Sequence, residues 1–147
     1  MIIPDVNLLL IALNSESPDH SRAAKWWKSL VTGNEPVGLL PVVIFAFVRL
    51  GTNRKVFPQP LSVAEAFAYV ENWLEFPLVS WVEPAASDLS MAKNLLLAAG
   101  TGANLVTDAQ IAAAAIRLKA TVHSADADFG RFPSVEWINP LQQRGVR

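Results

Sequence analysis

The sequence contains no cysteine among its 147 residues. This absence excludes disulfides, thiolate metal sites and a cysteine nucleophile, and it leaves the redox compartment open. Charge of either sign is also scarce, since 12 basic and 13 acidic residues give a formal net charge of -1. A basic field over the whole molecule, which would indicate nucleic-acid binding, is therefore excluded. Any contact with nucleic acid must come from a local patch.

Long apolar runs are missing as well. The longest, residues 37–48, is interrupted by Gly38 and Pro41, and a membrane span needs about 20 apolar residues. The N-terminus has no basic segment of the kind that begins a signal peptide. We therefore expect a cytoplasmic protein without membrane contact. A hydrophobic content of 52% excludes intrinsic disorder, and the length predicts one domain over residues 1–147.

Short apolar runs alternate with segments of helical periodicity along the chain. The runs are almost continuously apolar, which is typical of strands covered on both faces, and they occupy residues 1–4, 37–40, 78–82, 121–124 and 135–138. This alternation predicts an α/β fold, a three-layer α/β/α sandwich around a mainly parallel sheet. Ser62 and Ser87 are predicted helix N-caps, and Glu65 is placed to complete a capping box with Ser62.

Four aspartates lie at predicted junctions. Asp5 follows the first apolar run, Asp108 is expected to open an alanine-rich helix, and Asp126 and Asp128 follow the fourth run. Each one alone is explained by helix capping. Ligand sites of parallel sheets, however, lie beyond the carboxyl ends of the strands, so we expect these carboxylates to converge.

Converging carboxylates repel one another unless a cation neutralises them. Oxygen ligands of this kind suit Mg²⁺, and Mn²⁺ is compatible with the same set. The absence of cysteine and of a paired-histidine motif removes a zinc site as a competing interpretation.

The segments that carry these aspartates resemble motifs of the PIN-domain nucleases. They are DVN at 5–7, TDAQIAA at 107–113 and SADADF at 124–129, in that order. More narrowly, the chain resembles VapC-type toxins of bacterial toxin–antitoxin systems. FVRLGTN at 47–53, FGRFP at 129–133 and WINPL at 137–141 are similar to one VapC subgroup. The resemblance extends over nearly the whole chain.

This resemblance implies a PIN-like fold and a metal-dependent endoribonuclease that hydrolyses RNA phosphodiester bonds. It also implies a VapB-type antitoxin as inhibitor and a homodimer as the usual form. Matched position by position, the metal-holding aspartates would be Asp5, Asp108 and Asp126, and Asp128 would join them as a fourth catalytic carboxylate. The polar residues expected to orient these carboxylates or a metal-bound water are Asn7, Ser124 and Thr107.

The chain departs from the family pattern at one position. Many members carry a glutamate on the helix after the second strand, where this chain has Ala46. Without this glutamate the chain lacks one of the family's four acidic residues. Asp128 is the residue expected to compensate for it. The departure also keeps open a catalytically weakened PIN-like module that binds RNA or protein. A magnesium-dependent phosphatase using Asp126 and Asp128 is less favoured, because that chemistry prefers such a pair after the first strand.

An acidic pocket that receives RNA needs cations nearby to hold the phosphates. The predicted RNA-binding residues lie in or near sheet-end loops and are Arg49, Arg54, Lys55 and Arg131. Arg49 and Arg131 carry more weight because they fall inside the family-like motifs.

Structural roles are favoured for the remaining residues that could carry chemistry. No orienting partner for His20 or His123 is evident in the sequence, which argues against a general base. The five tryptophans are predicted to fill the core or an interface rather than to stack bases. Phe45, Phe47 and Val48 are hypothesised to help form a dimer or antitoxin groove.

Overall fold

Five short strands form one parallel sheet in the part of the chain that the computed structural model describes, residues 1–142. They are β1 (Ile2–Pro4), β2 (Val37–Leu39), β3 (Val79–Trp81), β4 (Thr121–His123) and β5 (Glu136–Ile138). Their order is β3-β2-β1-β4-β5, and every neighbouring pair is parallel. All five predicted strands are confirmed within a residue or two at their ends. The predicted single domain, 1–147, also includes residues 143–147, which lie outside the described residues.

Helices fill the connections between the strands. They are α1 (Val6–Leu13), α2 (His20–Val31), α3 (Pro41–Gly51), α4 (Val63–Leu74), α5 (Ser87–Ala99) and α6 (Leu105–Leu118), with a 3₁₀ helix at Ala127–Arg131. The chain passes from β1 through β2 to β3 in one direction and then returns across the sheet to β4. Right-handed crossovers therefore place α1–α4 on one face and α5 and α6 on the other. This arrangement confirms the predicted three-layer α/β fold.

The core lies between the sheet and these helices. Its largest fully buried side chains include Phe47, Phe129 and Phe132. Phe47 is 0% exposed, so its predicted contribution to a dimer or antitoxin groove is wrong; its ring packs against Trp73 inside the core at a centroid distance of 4.9 Å. Within residues 1–142, no helix is long and apolar enough to cross a membrane.

The two predicted serine caps have opposite outcomes. At α4 the capping box is present, since the Ser62 hydroxyl accepts from the Glu65 N–H at 3.1 Å and the Glu65 carboxylate accepts from the Ser62 N–H at 3.0 Å. At α5 the predicted Ser87 cap is wrong, because Ser87 is already the first helical residue. The N–H of Ala85 donates instead to Asp88 Oδ2 at 3.0 Å.

Asp88 also joins the two helices of the second face. Arg117, near the end of α6, donates to both carboxylate oxygens of Asp88 at 2.7 and 3.1 Å, and to the carbonyl of Glu83 at 3.2 Å. The pair clamps the start of α5 to the end of α6.

The difference between the two serines gives a test of the local structure. Ser62→Ala removes a capping hydrogen bond, and we expect it to lower the free energy of unfolding by about 1 kcal/mol. Ser87→Ala removes no cap, so we expect a change within about 0.5 kcal/mol. Urea unfolding of both variants beside the wild type measures the two values. Equal losses in the two variants would contradict the helix boundaries described above.

Candidate active site

The centre of the sheet brings together two segments that are distant in the sequence. Pro4 in β1 is in register with His123 in β4, and the N–H of Asp5 donates to the carbonyl of His123 at 2.9 Å. The residues that follow the two strands, Asp5 and Ser124, are therefore neighbours. The strand order reverses between β1 and β4, and such a switch point is where parallel α/β sheets bind ligands.

A buried hydrogen-bond network fixes the Asp5 carboxylate. Its Oδ2 accepts from Ser124 Oγ at 2.7 Å and from Asn7 Nδ2 at 3.1 Å, and its Oδ1 accepts from the N–H of Val6 at 2.7 Å. Asn7 Nδ2 also donates to Ser124 Oγ at 3.2 Å, and Asn7 Oδ1 accepts from the N–H of Ala125 at 3.2 Å. Asp5 thus caps α1 and is tied to the end of β4 at the same time.

Three further carboxylates converge beside this network. Asp108, Asp126 and Asp128 each offer one oxygen, and these oxygens lie within 4.8 Å of one another. Asp126 caps the 3₁₀ helix by accepting from the N–H of Asp128 at 2.9 Å, and its own N–H donates to Ser124 Oγ at 3.0 Å. We call these three residues the acidic cluster. Asp5 is not one of the three, but its charge acts on Asp108, and its own oxygens accept the hydrogen bonds from Ser124, Asn7 and Val6.

The position of Asp108 differs from the sequence prediction. It does not open its helix, because α6 already begins at Leu105. A turn precedes the helix, in which the N–H of Leu105 donates to the carbonyl of Gly102 at 3.0 Å. Asp108 therefore projects from the first turn of α6 and is only 9% exposed.

Burial and mutual repulsion raise the pKa of the two most enclosed carboxyls. The pKa of Asp108 is raised to about 7, first by burial and then by the charges of Asp126, Asp5 and Asp128. Burial also raises the pKa of Asp5, against the hydrogen bonds from Ser124 and Val6 that favour its charged form. The site therefore concentrates negative charge that lacks a counter-charge.

The donor set fits a divalent cation. Among residues 1–142, no basic side chain forms a salt bridge with any of the four aspartates. Asp108 and Asp128 accept no hydrogen bond from another described residue, so their oxygens are available to a ligand. Carboxylate oxygens are what hard divalent cations prefer, and a bound cation would offset the repulsion between them.

The other predicted site residues are less closely joined to the cluster. Thr107 is exposed, and its side chain makes no hydrogen bond within the described part of the chain. Arg49 lies in the last turn of α3 and lines a pocket together with Thr107. The remaining predicted RNA-binding residues are also exposed; two lie in the loop after α3 and one in the 3₁₀ helix, namely Arg54, Lys55 and Arg131.

Both histidines have partners that the sequence did not reveal. His123 Nδ1 accepts from Trp26 Nε1 at 3.0 Å, and burial lowers the pKa of His123. His20 Nδ1 donates to the carbonyl of Ile11 at 3.1 Å. Neither partner is a carboxylate that would activate a base, so both contacts fit the structural roles predicted. Nothing in the spacing of Trp26 and His123 signals their contact.

Comparison with known proteins adds an independent line of evidence. A family model described as PIN domain matches residues 2–135. Ribonuclease VapC33 of Mycobacterium tuberculosis is 42% identical over 143 residues, which are 97% of this chain and 100% of that protein. Ribonuclease VapC37 of the same organism is 40% identical over 140 residues, 95% of this chain and 97% of that protein.

Among solved structures, VapBC2 from Rickettsia felis, bound to a DNA fragment from its promoter, has a similar fold. The TM-score is 0.68 at 17% sequence identity, over 95% of this chain and 98% of that chain. At this identity the likeness supports the fold alone.

The raised pKa of Asp108 has a measurable effect on stability. Because the folded protein binds a proton that the unfolded chain releases near its ordinary pKa of 3.8, stability falls as pH rises from about 4 to about 7. In a chelator, we expect Asp108→Asn to gain stability relative to the wild type across that range. Thermal or urea unfolding at several pH values measures the gain.

Asp88→Asn is the matched control for this measurement. Its pKa is lowered by the hydrogen bond from Arg117, so Asp88 is ionised in both states above about pH 5. We expect the difference in free energy of unfolding between this variant and the wild type to be independent of pH up to about pH 7. If the difference for Asp108→Asn is also independent of pH, the electrostatics described for the cluster are wrong.

Proposed function

The chain belongs to the VapC ribonucleases of the PIN-domain family, and from that membership we propose that it is the toxin of a toxin–antitoxin pair, a metal-dependent endoribonuclease that hydrolyses RNA phosphodiester bonds. The observation that carries the proposal is the convergence of Asp108, Asp126 and Asp128 next to Asp5 at the switch point of the sheet. Fold and family alone would allow a protein that binds RNA without cleaving it.

Mg²⁺ is the proposed cofactor, with Mn²⁺ as a substitute. Asp108, Asp126 and Asp128 would hold the ion, and Asp5 would add its charge or its Oδ1 from the adjacent position. When bound, such an ion polarises the scissile phosphodiester and lowers the pKa of an attacking water. The side chain at Ala46 has no ligand atom, so Asp128 supplies the carboxylate that the family pattern otherwise places there.

The residues around the cluster hold it in a reactive arrangement. Ser124 and Asn7 restrict the Asp5 carboxylate to one orientation, because each donates to the same oxygen. Asp126 is held by its backbone bond to Ser124 and by the 3₁₀ helix that it caps. Burial and the neighbouring carboxylates raise the pKa of Asp108 to about 7, so cation binding there would compete with a proton below that pH.

RNA would reach this acidic site with the help of exposed cations on the same molecule. Arg49, Arg54, Lys55 and Arg131 are exposed, and none of them forms a salt bridge within residues 1–142. Free cations of this kind can hold the phosphates of a bound RNA. Among these four residues, Arg49 lines a pocket together with Thr107, which precedes Asp108.

Partners and location follow from the same proposal. A VapB-type antitoxin is the expected inhibitor, supported by the VapBC complexes among the structures of similar fold. We also propose a homodimer, a single domain over residues 1–147 and a cytoplasmic location. Phe45 remains available for an interface because it is 57% exposed.

Cleavage of RNA by the purified protein is the direct test. We expect Mg²⁺-dependent cleavage of a mixed single-stranded RNA substrate, stopped by a chelator. Asp108→Asn and Asp126→Asn should each lower the rate by about 100-fold or more, because each removes a carboxylate that would hold the cation which stabilises the anionic transition state. Glu71→Gln changes an exposed carboxylate on α4 and serves as the control. Full activity in Asp108→Asn would refute the assigned site.

The two alternatives are separated in the same assay. A binding module with a weakened site would bind RNA without cleaving it at any Mg²⁺ concentration. A phosphatase would release phosphate from a generic phosphomonoester, which the proposed endonuclease should leave intact.

Metal binding tests the role of Asp128 separately from catalysis. We expect Asp128→Ala to weaken Mn²⁺ binding about tenfold or more, measured by calorimetry or by paramagnetic relaxation. For the wild type, affinity should rise by up to about tenfold per pH unit below pH 7, because the cation displaces the Asp108 proton. An unchanged affinity in Asp128→Ala would show that Asp128 does not replace the missing carboxylate.

A further inference from the structure

A pocket beside the acidic cluster has a lining of different chemistry from the cluster itself. It is an open pocket of about 380 Å³, lined by Pro41, Val42, Phe45, Ala46, Arg49 and Thr107. We call it the α3 pocket, because every lining residue except Thr107 belongs to α3. Thr107 directly precedes Asp108 in α6. The pocket therefore lies next to the proposed cation site.

Its aromatic wall is exposed and held in place. Phe45 is 57% exposed, and its ring contacts Trp81 edge to face at a centroid distance of 6.4 Å and an interplanar angle of 88°. A phenylalanine this exposed adds little to the core, but the contact with Trp81 restricts its ring. An orientated ring at the surface is a platform on which a flat ligand can stack.

Polar groups lie at the edge of the same pocket. Arg49 follows Phe45 by four residues on α3, so the two side chains share one helix face. Arg49 is exposed and forms no salt bridge in the described part of the chain. The Thr107 hydroxyl is also without a side-chain hydrogen bond there. Ala46 also lines the pocket, and its small side chain occupies little of the space there.

We propose that the α3 pocket binds one unpaired nucleobase of the RNA, next to the scissile phosphate, and so selects which sequence is cut. The base stacks on Phe45, its flanking phosphate contacts Arg49, and the Thr107 hydroxyl is free to bond to the base or sugar. Proteins that recognise single-stranded RNA use this combination of aromatic stacking and arginine. The proposal rests on the ribonuclease function proposed above.

The size and charge of the pocket fit a nucleotide. Its volume is at the lower end of the roughly 300–1,000 Å³ that small-ligand sites occupy. Because the acidic cluster repels phosphates, a free cation in the adjoining pocket can help to hold RNA.

Binding is measured apart from cleavage with RNA that resists hydrolysis. Labelled homopolymers of uridine, cytidine or adenosine, about ten nucleotides long and with phosphorothioate linkages, are titrated by fluorescence anisotropy in Mg²⁺. We expect Phe45→Ala to weaken binding of at least one homopolymer by about 5- to 150-fold, the loss of one stacked base. Phe45→Trp should retain binding within about threefold. Arg49→Gln should make the salt dependence shallower.

Phe67→Ala is the matched control. Phe67 is 38% exposed on α4, so its loss removes a surface phenylalanine away from the α3 pocket and should leave RNA affinity unchanged. Circular dichroism and light scattering on every variant report fold and oligomeric state. If Phe45→Ala loses RNA binding and also turns a dimer into a monomer, the proposal is overturned. The loss of binding would then follow from loss of the dimer, with a second copy of the chain covering Phe45.

Base selection is read from unmodified RNA with a randomised centre. Sequencing the products of the wild type should show a base preference at one position flanking the cut, and Phe45→Ala should flatten the preference there and at no other position. If the wild type cleaves but Phe45→Ala keeps its affinity and preference, the pocket proposal fails and the ribonuclease function stands. If the wild type neither binds nor cleaves RNA, both fail.

Discussion

The parallel pairing of β1 with β4 is the contact on which the site depends. It joins residues near the start of the chain to residues near its end, and it places Asp5 and Ser124 at one edge of the sheet. The hydrogen bond between these two side chains then positions the 3₁₀ helix through the backbone of Asp126. Any shift in this register would move the carboxylates apart, since successive residues of a strand point to opposite faces.

The acidic cluster is locally destabilising, and packing in the rest of the fold offsets its cost. Burial of the charged form of Asp108 among other carboxylates is unfavourable, and this raises its pKa to about 7. The surrounding core is dense and apolar, with Ile3, Leu9 and Ile111 fully buried. Stability supplied by this packing allows the site to remain charged and poorly compensated, as functional sites commonly are.

Much of the fold could be predicted because its signals are local. Continuous apolar runs marked all five strands, and the pairing of Ser62 with Glu65 marked the start of α4. Ser87 failed as a cap because Asp88, joined to Arg117 from another helix, supplies the acceptor at that position. The sequence has no local signal for such a tertiary partner.

The same distinction applies to the site. The junction positions of the aspartates predicted that they would meet, and the structure brings them together at the carboxyl edge of the sheet. The oxygens that converge are nevertheless those of Asp108, Asp126 and Asp128, while those of Asp5 accept hydrogen bonds from Ser124, Asn7 and Val6. Periodicity likewise could not separate Phe47, which faces the core, from Phe45, which faces solvent. Side-chain direction at this level depends on packing between elements rather than on spacing.

The long sequence separation across the Asp5–Ser124 bond also determines when the site can exist during synthesis. The two residues are 119 positions apart, in a chain of 147. A nascent chain that has not yet emerged from the ribosome as far as β4 can pair β1 with β2 but lacks β4 and two of the three clustered carboxylates. Loop closure over this distance must precede any assembly of the site. The ribosome that translates this protein is therefore shielded from the nuclease activity proposed for it until the last fifth of the chain has been made.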